Sequence, residues 1–215
     1  MRGQETRSTI APQAVSMRCP SCHQQGTFEI VDDGDLRISP HGPKLGHRRC
    51  PNLECRAHVF VIVEDSNDVI ASYPPERIDF DATNLPPEVQ AALEEAITCH
   101  ANACYKAAAM MARKTLEELC DKQEAKGDNL KDRIRNLGTK AVVPKELFDG
   151  LDDIRLLGND AAHVVSKDYE DIGEEEVDIG ILFTKEVLKA VYQYSALVAK
   201  LKSLKKQPAP ADSDI

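Results

Sequence analysis

Four cysteines in the first 55 residues constrain this chain more than any other feature. They form two short pairs, Cys19 with Cys22 in Cys-Pro-Ser-Cys and Cys50 with Cys55 in Cys-Pro-Asn-Leu-Glu-Cys. Zinc takes four tetrahedral thiolate or imidazole ligands, and each short pair lets one tight loop offer two sulfurs to a single ion. Because so small a segment has little apolar core of its own, a bound metal would supply much of its folding free energy. The spacing therefore predicts a structural zinc site.

The residues between and after the cysteine pairs favour β structure. The 27-residue spacer can hold a hairpin over residues 27–31 and 36–38, and residues 58–64 form an apolar, β-branched run typical of a strand. This is the pattern of a zinc ribbon. Disulfides and an iron site are the alternatives for these thiols, and four cysteines leave no open position for a catalytic water. His23, His47 and His58 can each replace a cysteine as ligand, but we interpret them as loop and strand residues.

The absence of long apolar segments and the distribution of charge argue against several classes of function. No apolar stretch precedes the cysteines, so we expect no secretory signal and a reduced, cytoplasmic protein. No segment is apolar enough to span a membrane, so no membrane partner is expected. The net charge is −9; residues 1–70 hold 8 Lys/Arg and 9 Asp/Glu, so an excess of eight acids falls in the rest of the chain. That excess argues against a helical domain that coats DNA through its net charge.

Basic residues cluster around the second cysteine pair. Side chains of this kind can contact a nucleic-acid backbone, and they can equally offset the double negative charge of a zinc ion held by four thiolates. The candidate nucleic-acid-binding residues here are Lys44, Arg48, Arg49 and Arg56.

The chain changes character to helix from Pro86 onward. Proline and capping signals with 3.6-residue periodicity predict helices over 87–101, 103–126 and 130–137, a fourth opened by Pro144, and a long fifth that begins within 174–177. The predicted fold class is α+β, a small zinc-ribbon β domain followed by an all-α bundle of four to five helices. The predicted division of the chain is a mobile arm (1–16), the ribbon (17–64), a linker (65–85), the helical bundle (86–206) and a disordered tail (207–215).

The fourth predicted helix carries a polar stripe. Arg155, Asn159 and His163 recur every four residues, which places them along one face of a helix. Arginine can clamp a phosphate and histidine can act as acid or base near neutral pH, so the stripe is a candidate catalytic site. The structural alternative is that His163 interacts with the helix C-terminus while Arg155 pairs with nearby acids such as Asp152.

Three segments of the helical part resemble a known family. They are residues 105–119, residues 130–134 and the motif Gly158-Asn-Asp-Ala-Ala-His163. Over about residues 74–201 the chain resembles the bacterial domain of unknown function 4145, which looks related to the HEPN helical bundles. Many of those bundles are ribonucleases or toxins of defence systems. The resemblance implies a HEPN-like fold, a homodimer and a role in nucleic-acid processing or phage defence.

The HEPN catalytic pattern is matched in part. It places an arginine, then a polar residue, then a histidine about five positions after the arginine. Asn159 and His163 fit the last two places, but Gly158 stands where the arginine is expected. Arg155 lies three residues earlier, and Arg113 of the second helix is the other source of positive charge.

Three functions follow from these patterns. The first is a metal-independent endoribonuclease in which His163 is the acid/base, Arg155 or Arg113 the phosphate clamp and Asn159 the orienting amide. The second is a non-catalytic, dimeric module that binds nucleic acid or protein and contains a structural zinc ion. The third is an interaction protein with no nucleic-acid role, whose acidic run over 170–178 suits a basic protein partner, although such a run also fits a solvated loop and helix start.

Overall fold

The computed structural model describes residues 8–37, 39, 41–138, 144–163, 168–169 and 171–204 of the chain. The chain divides into two compact units, a sheet unit that ends at Asp79 and a helical unit that begins at Phe80. The predicted α+β class is confirmed, because an antiparallel sheet in the first unit is followed by helices in the second.

The sheet unit is a single antiparallel sheet of seven strands among the residues that are described. Strand β5 occupies its centre, since it pairs with β3 and β4 along one edge and with β6 along the other, and β7 extends the sheet beyond β6. Strand β1 pairs with β4, and β2 pairs with β3. The strands are β1 Ser8–Ile10, β2 Val15–Arg18, β3 Gln25–Ile30, β4 Asp35–Arg37, β5 Lys44–Arg49, β6 His58–Val63 and β7 Val69–Tyr73.

Alternation of side chains in β6 separates an inner face of the sheet from an outer face. Val59, Val61 and Val63 point inward and are fully buried, whereas Phe60 between them points outward and is 60% exposed. The inner face forms a small core, which also contains Val15, Met17, Phe28, Cys19 and Cys50. Two of the four paired cysteines therefore belong to the core itself.

The sheet extends beyond the predicted ribbon at both ends. The segment 1–16, expected to be a mobile arm, contains β1 and the start of β2, and the expected linker 65–85 contains β7. Both expectations were wrong at these strands because their pairing partners lie elsewhere in the sequence: Thr9 lies opposite Leu36, and Tyr73 lies opposite Phe60. Residues 1–7 of the expected arm and the expected tail 207–215 lie outside the described residues.

The helical unit contains six helical segments in its described part. The helices are α1 Pro87–Ala101, α2 Tyr105–Lys122, α3 Leu130–Leu137, α4 Lys145–Asp149, α5 Leu151–Ala162, α6 Glu174–Leu188 and α7 Tyr194–Ser203, with a π-helical stretch Lys189–Gln193 that joins the last two into one segment. The predicted bounds of α1 and α3 agree with the structure, and α2 is shorter than predicted. The predicted fourth helix is divided at Gly150, where a Cβ atom would overlap the ring of Phe183.

Helix α2 is the centre of the helical unit and packs against α1, α5 and α6. Its buried face includes Ala108, Ala109 and Ala112, whose small side chains allow neighbouring helices to come close. The closest approach is to Gly158 of α5, where a Cβ atom would overlap the Cβ of Arg113 and lie 3.0 Å from the carbonyl oxygen of Ala109. The glycine is thus required by helix packing.

Helix α7 carries an exposed apolar stripe. Tyr194, Leu197, Val198 and Leu201 recur at three- and four-residue spacing, Leu204 follows at the C-cap, and all five are exposed to solvent. Among the described residues, no helix is both long enough and apolar enough to cross a membrane.

Candidate metal centre and flanking sites

The four cysteines of the two predicted knuckles meet in the sheet unit. The Sγ atoms of Cys19, Cys22, Cys50 and Cys55 all lie within 4.8 Å of one another, although the two pairs are far apart in sequence. The Sγ atoms of Cys19 and Cys55 are 3.9 Å apart, and those of Cys22 and Cys50 are 3.8 Å apart. Within the described part of the chain, these four cysteines form a group that could bind one metal ion.

The sulfur separations fit a tetrahedral metal ion. A metal–sulfur distance of about 2.3 Å in a tetrahedron places the sulfurs about 3.8 Å from one another. A disulfide would instead bring two sulfurs to about 2.05 Å, and all seven cysteines of the chain are free thiols. The donor set therefore fits a metal ion and excludes the disulfide alternative in this structure.

The two knuckles have matching backbone geometry. The residue that follows the second cysteine of each pair has a positive φ, 60° at His23 and 51° at Arg56. In the first knuckle the amide of His23 donates to the carbonyl of Cys19, and the amide of Ser21 donates to the Cys19 sulfur at 3.4 Å. In the second, the amide of Arg56 donates to the carbonyl of Asn52. Each turn directs both of its sulfurs to the same point.

The thiols differ in acidity because their surroundings differ. A hydrogen bond from the backbone of Gln24 lowers the pKa of Cys22 to about 7. Burial raises the pKa of Cys50 to about 12 and also raises the pKa of Cys19. A metal ion that binds all four as thiolates must displace protons from the buried pair, so its affinity falls as the pH is lowered.

The three nearby histidines are not placed as ligands of this centre. The Nδ1 atom of His23 lies 2.8 Å from a carboxylate oxygen of Asp79. His47 and His58 point to the outer face, where Nε2 of the first and Nδ1 of the second are 2.8 Å apart. The four-cysteine interpretation is supported by this arrangement.

Two of the four basic candidates point into the interior. The guanidinium of Arg48 is 1% exposed and forms two hydrogen bonds with the carboxylate of Asp35, at 2.8 and 2.6 Å. The Lys44 side chain is only 6% exposed and its Nζ lies 3.7 Å from Asp65. The expectation that these two residues contact nucleic acid is corrected by their burial. Alternation along β5 places them on the inner face.

The other two basic candidates lie at the surface and share one carboxylate. Arg49 donates to Oε2 of Glu29 and Arg56 donates to Oε1, each at 2.8 Å. The hydrogen bonds from Arg56 and Arg49 hold the pKa of Glu29 below its usual range. Two guanidinium groups against one carboxylate leave a net positive charge, and all three side chains are between 32% and 42% exposed.

The polar stripe predicted on the fourth helix is not continuous. Arg155 and Asn159 lie on α5, but the helix ends at Ala162, and His163 has extended backbone with φ −108° and ψ 151°. His163 is exposed. It therefore does not continue the helical face that Arg155 and Asn159 share, which corrects the prediction.

Arg155 is engaged in a local ion pair. Its Nε donates to Oδ1 of Asp152 at 2.6 Å, and Lys131 lies 3.7 Å from the other oxygen of the same carboxylate. The hydrogen bond from Arg155 lowers the pKa of Asp152 and raises that of the arginine. Arg155 therefore pairs with a nearby acid, as the structural alternative for this residue predicted.

Arg113 lies where the helical motif is most tightly packed. Its stem covers Gly158, the position at which the HEPN pattern expects an arginine. Its Nη2 lies 3.2 Å from Glu117, while its Nη1 is buried without a hydrogen-bond partner among the described residues. Arg113 thus brings its side chain against Gly158 from a different helix.

Sequence reasoning missed several acidic side chains that organise these sites. Asp35 neutralises Arg48, and Glu29 joins the two exposed arginines. Asp160, buried within the Gly-Asn-Asp-Ala-Ala-His motif, accepts hydrogen bonds from the amides of Asp168 and Tyr169 and so holds these two residues against α5. A lone aspartate inside an alanine-rich helical run was the available signal for Asp160.

Comparison with known proteins identifies the helical unit. A family model described as a domain of unknown function (DUF4145) matches residues 94–207, just over half of the chain. Comparison with curated proteins and with solved structures gives no significant match. The sequence resemblance is thereby confirmed for the helical unit, and the chain belongs to the DUF4145 family.

Proposed function

We propose that this protein is a non-catalytic nucleic-acid-binding module whose sheet unit is a zinc ribbon held by a structural zinc ion. The observation that carries the zinc part of the proposal is the convergence of four cysteine Sγ atoms within 4.8 Å. Four thiolates complete a tetrahedron and leave no position for a reactive water, so the site is structural. Zinc is preferred to iron because short Cys-x2-4-Cys pairs are the usual ligands of small zinc-stabilised domains.

Metal content of the purified full-length protein tests the first part. We expect one zinc ion per chain, no visible absorption, and loss of the metal when Cys19 and Cys22 are both changed to serine. Cys104→Ser is the matched control, because Cys104 is an exposed thiol of the helical unit and should leave the zinc content unchanged. Bound iron, or zinc retained by the Cys19→Ser, Cys22→Ser variant, contradicts the assignment.

The positive pair Arg49 and Arg56 supports nucleic acid as the partner. Each guanidinium has five N–H donors, and the single Glu29 carboxylate satisfies only part of them. Phosphate oxygens can accept from the rest.

Salt-dependent binding tests this assignment. We expect the wild type to bind RNA or single-stranded DNA more weakly as salt rises, and the Arg49→Ala, Arg56→Ala variant to show a smaller salt slope. Arg135→Ala, which removes an exposed arginine from α3, serves as the control. Identical slopes for the wild type and the double variant would exclude this pair from the interface.

A metal-independent endoribonuclease is a second candidate, favoured by the position of Arg113 against Gly158 and by its Nη1, which is buried without a hydrogen-bond partner in the described part of the chain. In this candidate Arg113, rather than the paired Arg155, binds the scissile phosphate, Asn159 orients it and His163 transfers the proton. This candidate predicts RNA cleavage by the wild type that is lost in both Arg113→Ala and His163→Ala. Cleavage should persist in Arg155→Ala, and also in EDTA under conditions that leave the zinc content unchanged. Absence of cleavage by the wild type favours the binding module.

A homodimer is also proposed, with the apolar stripe of α7 as its contact surface. The exposure of Leu197 and Leu201, each 65%, supports this proposal. We expect light scattering to give twice the chain mass, and Leu197→Glu with Leu201→Glu to give a monomer of unchanged helicity.

We further propose a HEPN-like relationship, a role in phage defence and a protein partner from such a system, all of which rest on the family resemblance. A cytoplasmic location is proposed from the reduced cysteines.

A further inference from the structure

The outer face of the sheet unit carries a row of three rings. His47 on β5, Phe60 on β6 and Tyr73 on β7 occupy directly opposed positions on adjacent strands, so their side chains project from the same face. We call these three residues the aromatic row. Phe60 is 60% exposed and Tyr73 is 71% exposed, which is unusual for rings of this size in a stable sheet.

Contacts within the sheet hold the first part of the row in a fixed geometry. The rings of His47 and Phe60 are stacked, with centroids 4.7 Å apart and planes inclined by 18°. The Nδ1 atom of His47 lies 3.4 Å from the carboxylate of Asp32, and its Nε2 lies 2.8 Å from Nδ1 of His58. The His47 and Phe60 part of the row is therefore preorganised.

A cavity of about 400 Å³ lies along the row, and this volume is within the range of sites that bind small molecules. Its walls are mostly apolar, with Leu36, Leu45 and Ile62 beside the rings. Asp32 adds a carboxylate to the lining, and this group can accept a hydrogen bond from the polar edge of a ring.

Positive charge continues the row at its His47 end. Arg49 lies two residues beyond His47 on the same face of β5 and directly opposite His58. It shares Glu29 with Arg56, and this group has an excess of one positive charge. A ligand that follows this face meets flat apolar rings and then guanidinium groups.

We propose that the aromatic row binds the unpaired bases of a single-stranded nucleic acid. Bases stack on Phe60 and Tyr73, and the phosphates that link them contact Arg49 and Arg56. A duplex does not satisfy this surface, because its bases are stacked inside the helix and offer no free faces. The inference rests on the nucleic-acid binding proposed above. It adds the surface that binds, which is the aromatic row, and the class of ligand, which is a single strand.

Fluorescence anisotropy with a labelled single strand of about 12 nucleotides, a length that one small β domain can cover, tests the proposal. We expect the wild type to prefer this strand to a duplex of the same sequence and to a mononucleotide. Changing Phe60 and Tyr73 together to alanine should weaken binding by about ten- to a hundredfold for each stacked base. Leu53→Ala is the control, since Leu53 is an exposed apolar residue outside the row.

A second variant tests stacking directly. The chain contains no tryptophan, so Phe60→Trp introduces a single reporter that keeps a flat ring at the centre of the row. We expect its affinity to match the wild type and its fluorescence to be quenched by the single strand. Phe60→Leu, which keeps an apolar side chain without a ring, should bind as weakly as an alanine variant.

The outcomes separate this inference from the proposed function. If the wild type binds single strands and the Phe60→Ala, Tyr73→Ala variant binds them equally well with zinc retained, the aromatic row is overturned while the nucleic-acid module stands. Equal affinity for duplex or for mononucleotide also overturns the single-strand inference. If the wild type binds no nucleic acid at low salt, the proposed function fails together with it.

Discussion

The sheet unit and the helical unit of this chain are stabilised by different means. The sheet unit has a small core on one face only, and it places a buried ion pair and four thiols among the apolar side chains. The helical unit has a continuous apolar interior, with fully buried residues on α1, α2, α5 and α6 that include Leu93, Leu116, Leu157 and Ile181. The comparison teaches that a small sheet relies on a buried ion pair and a cluster of thiols that can bind a metal ion, where a helical bundle relies on packing.

Removal of the metal should give the largest difference between the two units. Apparent free energies of zinc binding to small structural sites are about 10 kcal/mol or more at pH 7, so the sheet unit should unfold when a chelator strips the ion. The helical unit contains none of the four ligands and should keep its helical circular dichroism. Nuclear magnetic resonance spectra should lose the dispersed amide signals of the strands alone. Dispersed strand signals in metal-free protein would contradict the dependence on zinc.

Breaking the buried ion pair should have the next largest effect. Arg48→Ala leaves the Asp35 carboxylate buried without its partner, and we expect the sheet unit to lose about 3–5 kcal/mol of unfolding free energy. Chemical denaturation of the zinc-bound protein measures the loss.

Arg49→Ala is the matched control, on the same strand but the opposite face. Its pair with Glu29 is partly exposed, and its removal should cost about 1 kcal/mol or less. Equal losses for the two variants would contradict the burial of Arg48. The buried pair of Arg48 and Asp35 also explains why position 46 is a glycine, since a Cβ atom there would overlap Asp35 Oδ1 and Arg48 Nη1.

In the helical unit, packing between α2 and α5 should be the sensitive feature. Gly158→Ala forces a Cβ atom onto Arg113, and we expect a loss of about 1–3 kcal/mol despite the better helix propensity of alanine. Gly180→Ala is the control, because its new Cβ would meet only the ends of the Leu157 and Ile154 side chains, at 3.1 and 3.5 Å. Thermal denaturation followed at 222 nm distinguishes the two, and equal stability would show that α2 and α5 can separate at no cost.

The smallest effect should come from the local pair of Arg155 and Asp152, which is partly exposed. The pKa of Asp152 is lowered by the hydrogen bond from Arg155, so the pair stabilises the folded state above the pKa of the unfolded aspartate, about 3.9. That stability is lost as the pH falls through the lower folded pKa. Asp152→Asn should therefore cost about 1 kcal/mol or less at pH 7, and the difference from wild type should vanish in strong acid. Denaturation curves between pH 7 and pH 2 test this, and a difference independent of pH would contradict it.

Local patterns in the sequence were sufficient for several elements. The two cysteine pairs predicted the four clustered thiols, and Pro87 predicted the start of α1. The predicted bounds of α3 agree with the structure, where the side chain of Asn129 caps the helix by accepting from the amide of Asp132. These features depend on neighbours within one or two turns of the chain, so the sequence alone contains the information.

Features that depend on distant partners could not be read in the same way. The basic cluster looked like one surface, but alternation within β5 sends Arg48 inward to Asp35 and Arg49 outward to Glu29. The helical stripe looked continuous, but the chain leaves α5 before His163, where Asp160 binds the amides of the following loop. In each case a contact between residues eight or more positions apart decides the direction of a side chain.

The sequence by itself determined that this chain has a four-thiol centre, an α+β division and a helical unit of the DUF4145 family. Ligand spacing, hydrophobic periodicity and capping are local properties, so they can be recognised from the sequence alone. Only the tertiary structure decided which arginines reach the surface, that Arg113 covers Gly158, and that His47, Phe60 and Tyr73 form one row. The physical reason is strand register and helix packing, which bring together side chains that the sequence keeps apart.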